Sequence, residues 1–465
     1  MKKVCPRFAA FVCLASVVAA VFICISARAA EKGIGSTNAI CRVEAVDYKG
    51  WQAQQLSNPW VQLVVVPQNG GRVMQVTFAG HPYLFVNPSL AGKYFPPTAG
   101  KWFNYGGDKL WLLPEGNDDE QHWVGDSDLI DDGEFSFRKL SEGKQCEIEL
   151  TGPLDAQTGI QFSRTVRLDA NSPRIRFHAV MKNISGHTLD WSMQSVSQYD
   201  TSDPSNPTHI NRDFWTFTPA NPSSNYLNRY HVRFGPAENP SVTVRDDGLF
   251  SVRYVHMAAE LWVDSTAGWL AVVDRTNKYA MVERFQYDET KSYPGKASVI
   301  FWTNGPEMRL NSDGIPSLSA DPDASPIYLE AELNSPMCHL RSGESCQFET
   351  EWFPTRSGEE FHGTSDAGIV IRRLQGTRPE NGRVKLSGTF GVFFPGHLIA
   401  HFYDQHGAPV GTVNVMDVDP AEAVQLQKEI QTSEKSARVS LHIESDQGVD
   451  YGSLQEVQLG AKDDR

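Results

Sequence analysis

Helical periodicity is nearly missing from this chain of 465 residues. Apart from the window Ala421 to Glu434, which follows the helix-start pair Asp419-Pro420, no long stretch repeats at helical spacing. That excludes helix bundles and folds that alternate strand and helix. Positive charge is also short, with 42 Lys+Arg against 56 Asp+Glu and a formal charge of −14. Such a chain repels nucleic acid and anionic membrane surfaces, so neither is an expected partner. Cysteine is sparse at seven residues, and no Cys-x-x-Cys pair offers a zinc site. No His-Glu-x-x-His segment, phosphate-cradling glycine loop or Ser-His-Asp order occurs, and no metal or other cofactor is expected.

One long apolar run exists, Phe8 to Ile25, preceded by Lys2, Lys3 and Arg7 and followed by Ala27-Arg28-Ala29. This order predicts a cleaved secretory signal over residues 1–29, and a periplasmic or secreted mature protein with no stable membrane insertion. Bulky Val21-Phe22-Ile23 before Cys24 argues against a lipid anchor. Cleavage removes four basic residues and no acids, taking the charge from −14 to −18. Cys41, Cys146, Cys338 and Cys346 remain, an even set that admits two disulfides in an exported protein. Cys338 and Cys346 flank a hairpin-like turn, so they are expected to face each other across two paired strands, leaving Cys41 for Cys146.

What the chain does contain is period-2 alternation. Val61 to Val66, Gly159 to Leu168, Arg174 to Val180, Trp269 to Val273 and Ser298 to Trp302 all read as strands separated by turn clusters such as Gln68-Asn69-Gly70-Gly71. The fold class is therefore all-β, with large antiparallel sheets. The length exceeds what one core usually supports, so two domains are expected. A break near Thr355 to Thr364 divides residues 30–360 from a small immunoglobulin-like β-sandwich at 366–465, where short strands recur at sandwich-like spacing.

The densest chemistry lies in Asn104-Tyr105-Gly106-Gly107-Asp108-Lys109-Leu110-Trp111-Leu112-Leu113-Pro114-Glu115. Paired glycines permit a tight turn or a close backbone approach to a ligand. Asp108, Lys109 and Glu115 supply polar groups beside the flat indole of Trp111, a combination suited to a sugar's apolar face and hydroxyl edge. The acids Asp118, Asp119, Glu120, Asp126, Asp128, Asp131 and Asp132 have no EF-hand spacing and read as a solvated loop.

Three segments together resemble the galactose mutarotase-like supersandwich superfamily and, more narrowly, its DUF4380-type bacterial branch. They are Val65-Val66-Pro67-Gln68-Asn69-Gly70-Gly71-Arg72, the Gly-Gly-Asp-Lys-Leu-Trp tract, and Ile327-Tyr328-Leu329-Glu330-Ala331-Glu332 continuing to Glu351-Trp352. The resemblance covers about residues 40–355 and implies a sugar pocket on the concave sheet face. It implies Glu330 as a catalytic base, with Glu332 as the fallback two residues on. The family's acid histidine is absent: its place falls near Val196, between Gln194 and Gln198, and no histidine lies between His187 and His209. His256 and Lys109 are candidates for a displaced acid.

The expected function is an exported protein binding a sugar or oligosaccharide through Arg72, Asp108, Lys109, Trp111, Glu115, Gln194, Gln198 and Glu330. Turnover is doubtful without the histidine. The alternatives are an aldose 1-epimerase-like isomerase using Glu330, and a non-catalytic assembly module of the cell envelope.

Overall fold

Alternating burial drives the strands: Ile160–Asp169 hides every second side chain, and Gln145–Thr151 beside it does the same. The computed structural model describes residues 39–97, 102–115, 128–310, 316–318 and 326–460. The expected signal segment and Asp118, Asp119, Glu120 and Asp126 lie outside them.

Two large antiparallel sheets dominate. The twelve-stranded sheet runs, edge to edge, through Arg42–Tyr48, Trp51–Ser57, Val61–Val66, Arg72–Phe78, Asp108–Leu113, Leu189–Asp200, Tyr328–Asn334, Val299–Thr303, Ala259–Val263 and His231–Phe234, with two short strands attached beside this path. The ten-stranded sheet has Tyr279–Phe285, Ser345–Arg356, Ile175–Asn183 and Ile160–Asp169 at its centre. Leu63, Val65, Val76, Leu110 and Leu112 from the first sheet meet Ile148, Val166, Phe177 and Trp352 from the second in one apolar cluster. Each sheet thus buries one face against the other and leaves its second face for other uses.

The segment beyond residue 364 forms two four-stranded sheets. One holds Gly368–Gly376, Arg383–Val392 and Val424–Gln431; the other holds Gly396–Tyr403, Arg438–Glu444 and Asp450–Gln458. Ile369, Phe390 and Leu441 share a second cluster with Phe217, Ala271, Val282 and Phe353 of the ten-stranded sheet. Part of that sheet's outer face, along the strands that carry these residues, is covered by this packing.

The helix expected over Ala421 to Glu434 is instead the strand Val424–Gln431, paired with Arg383–Val392 in a continuous antiparallel register. Val424, Leu426 and Ile430 sit on its buried face, so period-2 burial overrides the helix-forming Gln, Lys and Glu residues between them. Asp419 caps a single turn rather than a helix, its carboxylate accepting the Ala421 N–H at 2.8 Å. Among the described residues the one α-helix is Asp128–Asp132, and no helix is long and apolar enough to cross a membrane.

Both expected disulfides are present, with Cα separations of 5.5 Å for Cys41–Cys146 and 6.5 Å for Cys338–Cys346. The hairpin expected around the second is not. Cys338–Leu340 pairs with Leu189–Trp191 on one side of the sandwich, whereas the strand bearing Cys346 pairs with Ile175–Asn183 in the ten-stranded sheet. This bridge ties strands of different sheets together.

Candidate ligand-binding site

Five neighbouring strands of the twelve-stranded sheet place their chemistry in register. One row crosses them as Lys109, Val196, Glu332, Ile300 and Trp262. A parallel row runs Gln198, Glu330, Trp302 and Glu260. A third pairs Trp111 with Gln194. Since alternate residues share a face, all three rows point away from the inter-sheet core. Lys109, Trp111, Gln194, Val196, Glu260, Trp302, Glu330 and Glu332 of these rows line a cavity of about 660 Å³, to which Trp102, Leu113, Glu115, Arg233, Phe234, Asn304 and Tyr328 also contribute. That volume lies in the small-molecule range of about 300–1,000 Å³.

Lys109 is held by two kinds of contact. Its ammonium lies 3.7 Å from the centroid of the Trp111 ring and 5.3 Å from that of Trp102. Asp131 takes a 3.3 Å ion pair from it and a 2.6 Å hydrogen bond from the Trp102 indole N–H. Asp131 is in turn anchored by the fully buried Arg72, which donates to it at 2.5 Å, sits 3.9 Å from Asp132, and donates to the Gly106 carbonyl at 3.2 Å. Burial first, and then the Asp131 charge, push the Asp132 carboxyl up to about 7 against Arg72 and Lys109. Asp131 and Asp132 are therefore a buried counter-charge, correcting the expectation that they belong to a solvated loop.

Glu330 and Glu332 stand two residues apart on one strand face. Gln198 Nε2 donates to Glu330 at 2.5 Å, and Gln194 Nε2 donates to Glu332. Burial pushes the Glu330 carboxyl up, with Lys109 pulling it back down. Burial also raises Glu332, and the Glu330, Glu260 and Glu115 carboxylates raise it further, to well above the ordinary range. The two are hydrogen-bonded to each other. Lys109 acts on Glu330 and three acids act on Glu332, so Glu332 is raised the further of the two, and their protons belong to the pair.

The expected site residues thus divide. Lys109, Trp111, Glu115, Gln194 and Glu330 line the cavity, with Glu332 beside them. Gln198 lies on the same face, fully buried behind Glu330. Arg72 sits behind the site, where a sugar hydroxyl cannot reach it, and acts through Asp131. Asp108 points the other way, because neighbours on a strand face opposite sides. It is sealed between the sheets, ion-paired with Arg164 and accepting from Ser195 Oγ at 3.2 Å and Ser197 Oγ at 3.3 Å. Gly106 and Gly107 serve backbone packing rather than ligand approach: with φ of 90° and 76°, a Cβ would come 2.1 Å from the Phe85 carbonyl oxygen and 2.6 Å from that of Val73. His256 is not among the lining residues. Sequence reasoning did not place Trp102, Asp131, Glu260 or Trp302 here. For Glu260 and Trp302 the signal was available, since both lie on alternating strands whose faces match Glu330.

No protein-family profile matches the chain, and no curated protein matches it in sequence. Solved structures do. A TPR-domain containing protein from Parabacteroides distasonis aligns with a TM-score of 0.43 and 13% identity over 66% of this chain; the chain spans about half of that structure, 47%. A galactose mutarotase-like protein from Clostridium acetobutylicum aligns with a TM-score of 0.42 and 9% identity over 69% of this chain and 100% of its own. A putative mutarotase from Salmonella typhimurium aligns with a TM-score of 0.43 and 10% identity over 70% and 96%. At these distances the likeness concerns β-architecture, and function has to be argued from the side chains.

Proposed function

We propose that this protein is an exported carbohydrate-binding protein whose sugar site is the cavity on the free face of the twelve-stranded sheet. The observation that carries the reading is the in-register convergence of Trp111, Trp302, Gln194, Glu330 and Glu332 on one hollow. Indole faces cover the C–H face of a pyranose, while an amide and carboxyls accept and donate at its hydroxyl edge. The resemblance of the Gly-Gly-Asp-Lys-Leu-Trp tract to the DUF4380-type branch favours the same ligand class. Export agrees with the signal-like amino terminus and with two disulfides, which persist in oxidising compartments. In this reading the sandwich at 366–465 is a separate domain that packs on the ten-stranded sheet. The test is calorimetric titration of the mature protein with a panel of monosaccharides and oligosaccharides, alongside Trp302→Ala. Saturable binding that is lost in the variant supports the site; the absence of heat and of any melting shift across the panel refutes it.

A second reading, proton-transfer catalysis on the bound sugar, is favoured by the Glu330–Glu332 pair. Ionised Glu330 would take the proton of the anomeric hydroxyl as Glu332 gives its proton to the ring oxygen and the ring C–O bond breaks. Closure on the opposite face returns both protons. Such acid–base assistance is worth about 10²–10⁴-fold in rate. Polarimetry of freshly dissolved α-glucose and α-galactose decides it: faster equilibration lost in Glu330→Gln and Glu332→Gln supports turnover, and unchanged rates with a binding sugar leave a binder only.

A further inference from the structure

The hollow is longer than a single sugar ring. At one end Trp102 lies over Lys109 of the strand Asp108–Leu113, its ring centroid 5.3 Å from the ammonium. At the other, Phe234 closes the edge strand His231–Phe234. Leu189–Asp200, Tyr328–Asn334, Val299–Thr303 and Ala259–Val263 lie between these two strands. Five inter-strand spacings, about 24 Å along the sheet, therefore separate them. A pyranose ring is roughly as wide as a single spacing.

The two ends share a second property. Trp102 at 46% and Phe234 at 39% exposure are the most exposed tryptophan and phenylalanine among the described residues, and both line this cavity. Large aromatic faces left in water and gathered on one hollow mark a binding surface. The indole donors at both walls are turned inward. Trp102 gives its N–H to Asp131 at 2.6 Å. Trp302, half-buried and stacked on Phe234 with centroids 5.6 Å apart and planes at 29°, gives its own to the Tyr328 hydroxyl. With those donors spent inside, each wall offers the hollow a ring face in a fixed orientation. Between the walls the floor is polar, with Gln194, Glu330 and Glu332 on the two central strands.

We propose that the ligand is an oligosaccharide of three or more rings lying across the strands. One outer ring rests on Trp102, the opposite outer ring on the Trp302–Phe234 face, and a middle ring over Glu330 and Glu332. This rests on the carbohydrate reading above and specifies the size of its ligand. Aromatic faces hold the C–H side of a pyranose largely irrespective of its hydroxyl pattern, whereas carboxyls and an amide distinguish hydroxyl positions. Chain length is thus read by the walls and sugar identity by the floor. A monosaccharide reaches one wall at a time and forgoes the other.

Calorimetry on the disulfide-bonded mature protein tests this with β-1,4-linked oligomers of glucose, mannose, xylose and N-acetylglucosamine, each from one unit to five. In a series that binds, affinity is expected to rise by about tenfold for each ring that gains an aromatic face, and to level off once both walls are covered. Phe234→Ala should weaken the tetramer by about tenfold and bring the plateau to shorter chains. Phe234→Tyr keeps the ring and should recover most of that loss. A monosaccharide that binds as tightly as its own trimer and tetramer, or a tetramer indifferent to Phe234→Ala, overturns the proposal and leaves the sugar site standing. No binding in any series removes both.

Discussion

Glu283 provides a sharp test of the electrostatics between the sheets. It is fully buried, with one carboxyl oxygen accepting the Tyr199 hydroxyl at 2.5 Å and the other without a partner. Burial is the largest influence on it, and Asp108 adds to the effect; Arg164 opposes both but is spent chiefly on Asp108. The carboxyl is pushed up to about 8. Its unfolded value is near 4.5. Between these values the folded state binds a proton that the unfolded state has lost, so stability falls as pH rises through the window. The slope is about 1.4 kcal/mol per pH unit, or up to ~4 kcal/mol between pH 5 and pH 8. Glu283→Gln replaces the carboxyl by a neutral group of the same shape that still accepts from Tyr199. Guanidinium unfolding, followed by tryptophan fluorescence with disulfides intact, should show the variant gaining on the parent by ~2–4 kcal/mol as pH rises from 5 to 8. The slope of the difference is diagnostic, because any cost of placing the amide beside its neighbours is the same at each pH. A difference that stays flat, or a parent that gains at high pH, would refute the reasoning.

Three further outcomes are expected. Asp131→Asn takes from Arg72 and Lys109, at 0% and 5% side-chain exposure, the carboxylate they share, leaving Arg72 only the more distant Asp132 at 3.9 Å. Denaturant titration should register a loss of about 3–5 kcal/mol, and a loss below ~1 kcal/mol counts against the anchoring role. The disulfides should differ by the loops they close, with sequence separations of 105 and 8. Paired serine replacement should cost about 4–5 kcal/mol for Cys41–Cys146 and ~2–3 kcal/mol for Cys338–Cys346, and melting experiments that reverse this order contradict the loop argument. Gly107→Ala forces a Cβ to 2.6 Å from the Val73 carbonyl oxygen at φ 76°. A fall in the unfolding midpoint equivalent to more than ~1 kcal/mol is expected, and a neutral effect would show that the 105–108 turn can relax.

The all-β class and most strand positions were legible because half-buried strands write their burial as alternation, as in Ile160–Asp169. The same alternation already separates Asp108 from Lys109 and Trp111, since adjacent strand residues cannot share a face; grouping them by proximity in sequence placed Asp108 in the wrong compartment. The counter-charge at Asp131 left no comparable trace. An acid among other acids reads as solvated until Arg72 and Lys109, 59 and 22 residues away in sequence, are seen to converge on it. The strand at Val424–Gln431 failed for a related reason: its residue types favour a helix, and only the neighbouring strand Arg383–Val392 decides otherwise. The pairing of Cys338 with Cys346 could be read from their spacing, whereas the assignment of their strands to different sheets depended on partners more than 140 residues upstream.

The registered rows carry a consequence for how this protein can change over time. Most lining groups are fixed by a ladder in which a shift of one position exchanges the two sides of a strand. Replacing Glu330 or Trp302 alters what the hollow holds while leaving its walls in place. Inserting or deleting a single residue within Tyr328–Asn334 would instead turn both glutamates toward the apolar interior and bring Leu329 and Ala331 to the surface of the hollow. Descendants of this chain are thus free to diversify by exchanging side chains here, while length variation is confined to the connecting loops.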